Sequence, residues 1–206
     1  MNLTLRNTLR AFFMPERGEN YVSEVKPLTD YNIILDFSDY LKEKNERDYV
    51  LYWTGIYTGR RISDILPLKV RDVKNKDRIC FLESKTQKKA DIIIHPELKK
   101  ILQAYCADKN NYEYVFANNR KPPKPITRVR VWQILNEAAK NFCYEQKIGC
   151  HTLRKTFGYW LYQYSKDVVA IKELLNQSDI SVTKRYIGID QKQKDELLCQ
   201  LPFGKM

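Results

Sequence analysis

The segment His151-Thr152-Leu153-Arg154-Lys155-Thr156-Phe157 opens a stretch that runs to Tyr186-Ile187-Gly188. Apolar residues recur in it at three- and four-residue steps, which predicts a helix over Thr152–Tyr164. His151 and Arg154 would project from the first turn of that helix on adjacent faces. Free helix amides and a guanidinium attract an anionic oxygen, and an imidazole exchanges a proton near neutral pH. The segment therefore predicts a phosphate site; the alternative is that Arg154 pairs with a surface carboxylate and His151 only caps the helix.

The charge of the chain favours a polyanionic partner. Its 206 residues carry a formal net charge of +11, and 43% of them are hydrophobic. That length suits one large or two small domains with a substantial core. Basic side chains that neutralise phosphates release counterions and attract nucleic acid at long range. DNA or RNA is thus the leading expectation for a partner.

Five scattered cysteines, an odd number, indicate reduced thiols in a cytoplasm rather than a disulfide framework. Cys143 and Cys150 have only His151 nearby, so we expect no zinc site. Neither a secretory signal nor an apolar run long enough to span a membrane is evident. We expect a cytoplasmic protein without a metal.

Periodicity along the chain predicts a mainly α-helical α+β fold with a small antiparallel β-sheet. Val70–His95 is interpreted as the sheet, with strands at Ile79–Glu83 and Asp91–Ile94. His95 is interpreted as structural. The other segments are predicted helices, namely one from Thr29 or Asp30 through Leu41, Glu46–Tyr57, a short one after Arg61, Glu97–Cys106, Thr127–Tyr144, Thr152–Tyr164 and Val168–Leu175.

Five motifs occur in a fixed order, and together they resemble the catalytic domain of the tyrosine recombinases, the phage integrase family. They are Thr58-Gly59-Arg60-Arg61-Ile62-Ser63-Asp64, Ser84-Lys85-Thr86, His151-Thr152-Leu153-Arg154, Leu174-Leu175-Asn176-Gln177-Ser178, and Tyr186. The sequences Lys155–Tyr159 and Tyr186–Ile189 are most similar to those of short integrases of Gram-positive phages and plasmids. The resemblance covers roughly residues 28 to 190.

The resemblance implies a division of labour among five residues, and Gln177 occupies a sixth position of the site. Tyr186 would be the nucleophile that forms a 3′-phosphotyrosyl intermediate. Arg61 and Arg154 would hold the non-bridging oxygens, Lys85 would protonate the 5′ oxygen, and His151 would take or relay the proton of Tyr186. No cofactor or metal is implied, since the arginines replace metal ions.

Two consecutive positions after Leu175 depart from the pattern of the family. Gln177 stands where His or Trp is usual, and its amide donates a hydrogen bond but carries no charge. Asn176 stands where glycine is common. The activity of the site therefore depends on whether Gln177 can substitute for the usual residue.

Basic residues near these motifs are candidates for DNA contacts. Arg60 stands where an apolar residue is usual, so it is either an extra phosphate contact or a surface charge. Lys88 or Lys89 would replace Lys85 if the register is shifted. The candidate DNA-binding set is Arg60, Lys88, Lys89, Arg120, Lys121, Lys124, Arg128 and Lys155.

Residues 1–27 are interpreted as an N-terminal arm or tail, with no separate core-binding domain, and residues 28–206 as the catalytic domain. The apolar residues of the tail Asp190–Leu201 indicate a short amphipathic helix. By resemblance that tail docks on a neighbouring protomer in a tetramer on double-stranded DNA. Folding back on its own domain is the alternative.

Three functions remain open on sequence grounds. The first is a site-specific recombinase, best interpreted as the integrase or excisionase of a mobile element. The second is a catalytically silent DNA-binding regulator that keeps the recombinase fold, favoured by Gln177, by Arg60 and by the expected lack of an N-terminal clamp domain. The third is a nickase similar to type IB topoisomerases, which uses the same residues without partner strands.

Overall fold

The fold is seen in a computed structural model that describes residues 25–83 and 87–177. Within these ranges helices precede and follow a single antiparallel β-hairpin. The elements are α1 (Tyr31–Lys44), α2 (Glu46–Thr58), α3 (Ile62–Ile65), α4 (Val70–Val73), β1 (Arg78–Leu82), β2 (Lys89–Ile93), α5 (Pro96–Cys106), α6 (Arg128–Asn141), α7 (Cys150–Ser165) and α8 (Val168–Leu174). The mainly helical fold with a small sheet is confirmed.

Short polar side chains set the starts of the long helices. Asp30, Asn45 and Thr127 each accept a hydrogen bond from a backbone N–H of the first turn of α1, α2 and α6. Such caps satisfy donors that have no partner within the helix. His95 acts in the same way at α5, where its ring also stacks on Tyr57 with centroids 4.6 Å apart. His95 is therefore structural, as expected.

The sheet is smaller than the sequence indicated. Strands β1 and β2 pair from Arg78↔Ile93 to Leu82↔Lys89, so both predicted strands exist. Residues 70–73, assigned to the sheet on sequence, form helix α4 instead. The Asp72 carboxylate accepts the Lys69 N–H, while Val70 and Val73 are both buried at a helical spacing. The Asp72 cap and the three-residue spacing of the two buried valines therefore favour a helix over a strand.

Helix α2 lies at the centre of the fold, packed against α1, α5 and α7. Its contact with α7 depends on the absence of a side chain. A Cβ added at Gly55 would lie 2.5 Å from Leu153 Cδ1. Real Cβ atoms do not come this close to another atom, so Gly55 allows the two helices to approach. The approach of α2 to α7 positions the first turn of α7.

The chain before α1 is anchored on α7. Leu28 is buried, its N–H donates to Thr156 Oγ1 at 2.9 Å, and its carbonyl accepts from Trp160 Nε1 at 3.0 Å. Residues 1–24 and 178–206, which include most of the predicted arm and the whole predicted tail, lie outside the described residues. In the described part no helix is long and apolar enough to cross a membrane.

Candidate active site

Helix α7 begins two residues earlier than predicted, at Cys150, with Gly149 as its N-cap. The Thr152 hydroxyl accepts the Gly149 N–H at 3.1 Å and closes the first turn. His151 is consequently the second helical residue and is exposed. The alternative that His151 only caps the helix is therefore wrong.

Arg154 is buried, with 1% of its surface exposed, one turn further along α7. Its Nη1 donates to the Gly59 carbonyl at 2.9 Å and its Nη2 to the Leu175 carbonyl at 2.7 Å. The guanidinium thereby links the end of α2, the start of α7 and the end of α8. A surface ion pair, the alternative considered for Arg154, is inconsistent with this burial.

The turn after α2 places Arg61. Gly59 ends α2 with φ of 61°, a left-handed conformation that favours glycine. The chain then extends through Arg61, whose carbonyl accepts the N–H groups of Asp64 and Ile65 at the start of α3. The Arg61 side chain is 23% exposed, and its Nη1 lies 2.9 Å from Glu83 Oε2. Arg61 is thus the more accessible of the two predicted phosphate-binding arginines.

Glu83 is a site residue that sequence reasoning missed. Its side chain is fully buried directly after β1, where Ile79 and Phe81 alternate inward. The alternation places Glu83 on the same inner face as those two apolar residues. A carboxylate on a buried face needs a charged or hydrogen-bonding partner. That requirement was the available signal in the sequence.

The electrostatic environment of His151 is strongly positive. Partial burial of the imidazole lowers its pKa below the usual 6.5, and the positive charges of Arg128, Arg154, Arg61 and Lys155 lower it further. The residue is still exposed to solvent. His151 is accordingly biased toward the neutral form, which can accept a proton.

Gln177 follows a defined end of α8. The Asn176 N–H donates to the Glu173 carbonyl at 2.8 Å and the Gln177 N–H to the Lys172 carbonyl at 3.0 Å, the pattern of a Schellman motif. Asn176 takes φ of 51°, a conformation that asparagine tolerates better than most residues. Asparagine therefore suits the turn in the position where the resemblance had suggested glycine.

Of the six predicted site residues, Arg61, His151, Arg154 and Gln177 lie in the described part of the chain. Arg61, Arg154 and His151 are close enough for the two arginines to affect the imidazole. Gln177 lies two residues after Leu175, whose carbonyl accepts a hydrogen bond from Arg154. Lys85 and Tyr186 lie outside the described residues, so their roles stay predictions.

The candidate DNA contacts divide by exposure. Six are exposed, namely Lys88, Lys89, Arg120, Lys121, Lys124 and Arg128. Arg60 and Lys155 are 1% and 5% exposed. Arg60 is neither a surface charge nor an available phosphate contact, because its guanidinium lies against Glu83 and the Leu174 carbonyl. The prediction that Arg60 and Lys155 contact DNA is therefore inconsistent with their burial.

A cavity of about 480 Å³ opens beside the first turn of α7. Its lining is mostly apolar and includes Arg128 and His151. The lining residues are Val25, Arg128, Val129, Trp132, Lys147, Ile148, Gly149, Cys150 and His151. In residues 25–83 and 87–177 no group of three or more His, Cys, Asp or Glu side chains is placed to hold a metal ion.

Residues 27–193 match the model of the phage integrase family. The chain is 47% identical over 167 residues to the probable integrase/recombinase YoeC of Bacillus subtilis (strain 168), covering 81% of this chain and 91% of YoeC. It is 28% identical over 194 residues to tyrosine recombinase XerD of Listeria innocua serovar 6a, covering 90% of this chain and 64% of XerD. The chain thus spans less than two thirds of that XerD.

Solved structures share the fold. The crystal structure of XerA recombinase superposes with a TM-score of 0.70 at 20% identity, covering 90% of this chain and 66% of that one. XerH site-specific recombinase bound to palindromic difH substrate superposes with a TM-score of 0.68 at 17% identity, covering 89% and 55%. The relatives give no support to a silent regulator. This chain belongs to the phage integrase family and is a tyrosine-type site-specific recombinase with the catalytic-domain fold of that family.

Proposed function

We propose that this chain cleaves and rejoins double-stranded DNA through a covalent bond between the Tyr186 oxygen and a 3′ phosphate. One observation carries the assignment of the site: Arg154 links α2, α7 and α8, and the positive charges of Arg61 and Arg154 both lower the pKa of His151. Two guanidiniums suit the two non-bridging oxygens of a phosphodiester. Integration or excision of a mobile element is the proposed context.

The reaction is a transesterification that needs no external energy. The Tyr186 oxygen attacks phosphorus, the bond from phosphorus to the 5′ oxygen breaks, and Lys85 protonates that oxygen. Attack by the 5′ hydroxyl of another strand reverses the step and releases Tyr186. One phosphoester bond is exchanged for another, so the free energy of the backbone is conserved.

Arg61 and Arg154 stabilise the charge that develops on the phosphorane oxygens. The two backbone carbonyls bonded to Arg154 fix the plane of its guanidinium, while the partly exposed Arg61 faces incoming DNA. Both side chains are therefore held before the substrate arrives, which reduces the reorganisation cost of the reaction. Gln177 adds a neutral hydrogen-bond donor.

His151 is proposed to accept the proton of Tyr186. The lowered pKa of His151 keeps the imidazole neutral at pH values where an ordinary histidine is partly protonated. Binding of an anionic phosphate among the neighbouring cations would raise that pKa and help the ring to hold the proton.

DNA would lie across the exposed cations Lys88, Lys89, Arg120, Lys121, Lys124 and Arg128. The Tn1549 transposon integrase, which shares the fold, was solved in complex with transposon right end DNA. A tetramer on DNA, joined through the tail Asp190–Leu201, and a cytoplasmic location are part of this proposal. Residues 1–27 are proposed to act as an arm beside the catalytic domain.

Covalent trapping tests the proposal. Wild-type protein and Tyr186→Phe are mixed in EDTA with nicked duplexes made from DNA that flanks the gene, and SDS-resistant protein–DNA bands are measured. We expect a band with wild type and none with Tyr186→Phe, since only the phenol oxygen forms the ester. Tyr112→Phe, a change at an exposed tyrosine in the loop after α5, is the matched control and should give the wild-type band.

Binding assays on the same duplexes separate the alternatives. Salt-sensitive binding by wild type without any covalent band would contradict the recombinase chemistry and favour a regulator. Relaxation of supercoiled plasmid without sequence preference would instead indicate a nickase similar to type IB topoisomerases.

A further inference from the structure

A buried carboxylate stands between two consecutive arginines behind the proposed active site. Glu83 Oε1 accepts from Arg60 Nη1 at 3.1 Å, and Glu83 Oε2 accepts from Arg61 Nη1 at 2.9 Å. Glu83 is 0% exposed and the Arg60 side chain 1% exposed, whereas Arg61 keeps 23% of its side chain accessible. Each oxygen of the carboxylate therefore holds a different arginine, one inside the fold and one at its surface.

Arg60 is itself fixed from three sides. Besides Glu83, it donates to the Thr58 carbonyl at 3.4 Å and to the Leu174 carbonyl. Burial lowers the pKa of the Arg60 guanidinium to about 10, and the nearby charge of Arg154 acts in the same direction. The group is still protonated at neutral pH, so Arg60 is a permanent buried cation that Glu83 must face.

The backbone of Glu83 is also held. Its N–H donates to the Lys88 carbonyl at 3.0 Å, and its carbonyl accepts the Gln87 N–H at 2.8 Å. The Glu83 side chain is therefore held at its backbone by these hydrogen bonds and at its carboxylate by the Arg60 guanidinium. A group with both ends held can determine the position of a third group that contacts it.

We propose that Glu83 is a positioning residue for strand cleavage, which holds the Arg61 guanidinium in place and is itself held by the buried Arg60. The inference rests on the proposed function, because it assigns Arg61 to the scissile phosphate. A free arginine side chain has many rotamers, and ordering it during the reaction would raise the barrier. The Glu83 contact removes that disorder before DNA binds.

The competing explanation is that Glu83 only neutralises Arg60. Removing one partner of a buried ion pair leaves an uncompensated charge and destabilises the fold. Stability alone therefore cannot separate the two roles. The separation requires a background in which Arg60 no longer needs a counter-charge.

The test uses Arg60→Met as that background and compares it with Arg60→Met/Glu83→Gln. Single-turnover formation of the covalent adduct on the nicked duplex is measured, together with the melting temperature and DNA affinity of each protein. We expect Glu83→Gln to slow adduct formation by roughly 10- to 100-fold in this background, since a catalytic group displaced by about 1 Å costs up to that factor. DNA affinity should change by less than about threefold, because phosphate contacts spread over the whole surface dominate it.

Arg61→Ala completes a double-mutant cycle. If Glu83 acts through Arg61, Glu83→Gln should have no further effect on the rate once Arg61 is alanine. An equal loss in both backgrounds, or no loss with Arg61 intact, would overturn the positioning role. Failure of wild type to form any adduct would instead refute the proposed function, so the two failures are distinguishable.

Discussion

The contacts on the two sides of Gly59 are of opposite kinds. Toward α7, Gly59 and Gly55 meet Phe157 and Leu153 by close apolar packing, where an added Cβ would lie 2.3 Å and 2.5 Å from the nearest atom. Toward the hairpin and α8, Arg60 contacts the Glu83 carboxylate and the Leu174 carbonyl, and Arg154 contacts the Leu175 carbonyl. The first contact sets how near the helices come, and the second sets where positive charge is held.

Shape and charge have separate roles in this region of the molecule. Close packing is insensitive to pH and salt but intolerant of added volume. The exposed end of a charged side chain tolerates a change of shape, whereas a buried charge does not tolerate the loss of its partner. We therefore expect substitutions in the apolar contact with Leu153 and Phe157 to change stability, and substitutions of the charged groups to change catalysis as well.

Arg154→Lys should have the largest effect. An ammonium cannot span the Gly59 and Leu175 carbonyls and still face a phosphate, whereas the planar guanidinium can. We expect adduct formation to fall about 100- to 1,000-fold, the range for loss of one transition-state donor. Single-turnover trapping on the nicked duplex measures the rate.

Arg78→Lys is the control for that change. Arg78 lies at the start of β1 in an exposed pair with Asp91, so lysine should be tolerated there. Adduct formation by Arg154→Lys at the rate of this control would show that the two carbonyl contacts of Arg154 are unimportant.

Gly59→Ala should destabilise the fold by about 2–4 kcal/mol, the combined cost of a left-handed alanine and of overpacking. The added Cβ would meet the Phe157 ring, which is packed between neighbours. Urea unfolding measures the change. Gly59→Ala/Phe157→Ala relieves only the steric part, so a double variant as stable as Phe157→Ala alone would contradict the backbone argument.

Gly55→Ala should cost less, about 0–2 kcal/mol, although its Cβ would be nearly as crowded. Gly55 lies inside helix α2, where alanine is the better helix former, and the nearest atom is the flexible end of Leu153. The same urea experiment applies. A larger loss than for Gly59→Ala would show that packing alone governs both positions.

Exposed and buried lysines should differ in the salt dependence of DNA binding. Lys124→Ala removes an exposed charge and should reduce the slope of log K against log salt by about 0.9 if that charge meets a phosphate. Lys155→Met removes a buried charge and should leave the slope unchanged. Titrations by fluorescence anisotropy at several salt concentrations measure both, and equal slopes for the two variants would contradict the assignment by exposure.

The pH response of His151 should be the smallest effect. Its folded pKa is below the ordinary 6.5, so the unfolded chain binds more protons in the window just below that value. Folding stability should therefore decrease as pH falls through this window, and less so in His151→Gln. Unfolding free energies measured across the window test the sign, and an NMR titration midpoint above 6.5 would contradict it.

Most of the helices were predicted from the sequence because capping residues and apolar spacing are local features of the chain. Asp30 and Asn45 cap α1 and α2 near the expected places, and apolar spacing identified α6 and α7. The error at residues 70–73 arose because Val70 and Val73 are β-branched and precede a real strand. A short helix held by one capping carboxylate is hard to distinguish from a strand on propensity alone.

The site was predicted through its motifs rather than through its surroundings. Arg61, His151 and Arg154 were recognised by residue type and order, and the charges of both arginines lower the pKa of His151. Arg60 was misplaced on the surface and Glu83 was overlooked, because their pairing joins positions 23 residues apart. Nothing in the neighbouring sequence of Arg60 indicates a buried partner.

By itself the sequence determined the helical character, the hairpin and the family, since these depend on local spacing and on motif order. The roles of the reacting groups stay predictions. Only the tertiary structure decided which arginine is buried, which carbonyls hold Arg154 and how near α2 lies to α7. Burial and pairing depend on residues far apart in the chain, and a charge in the interior is stable only where the fold supplies its partner.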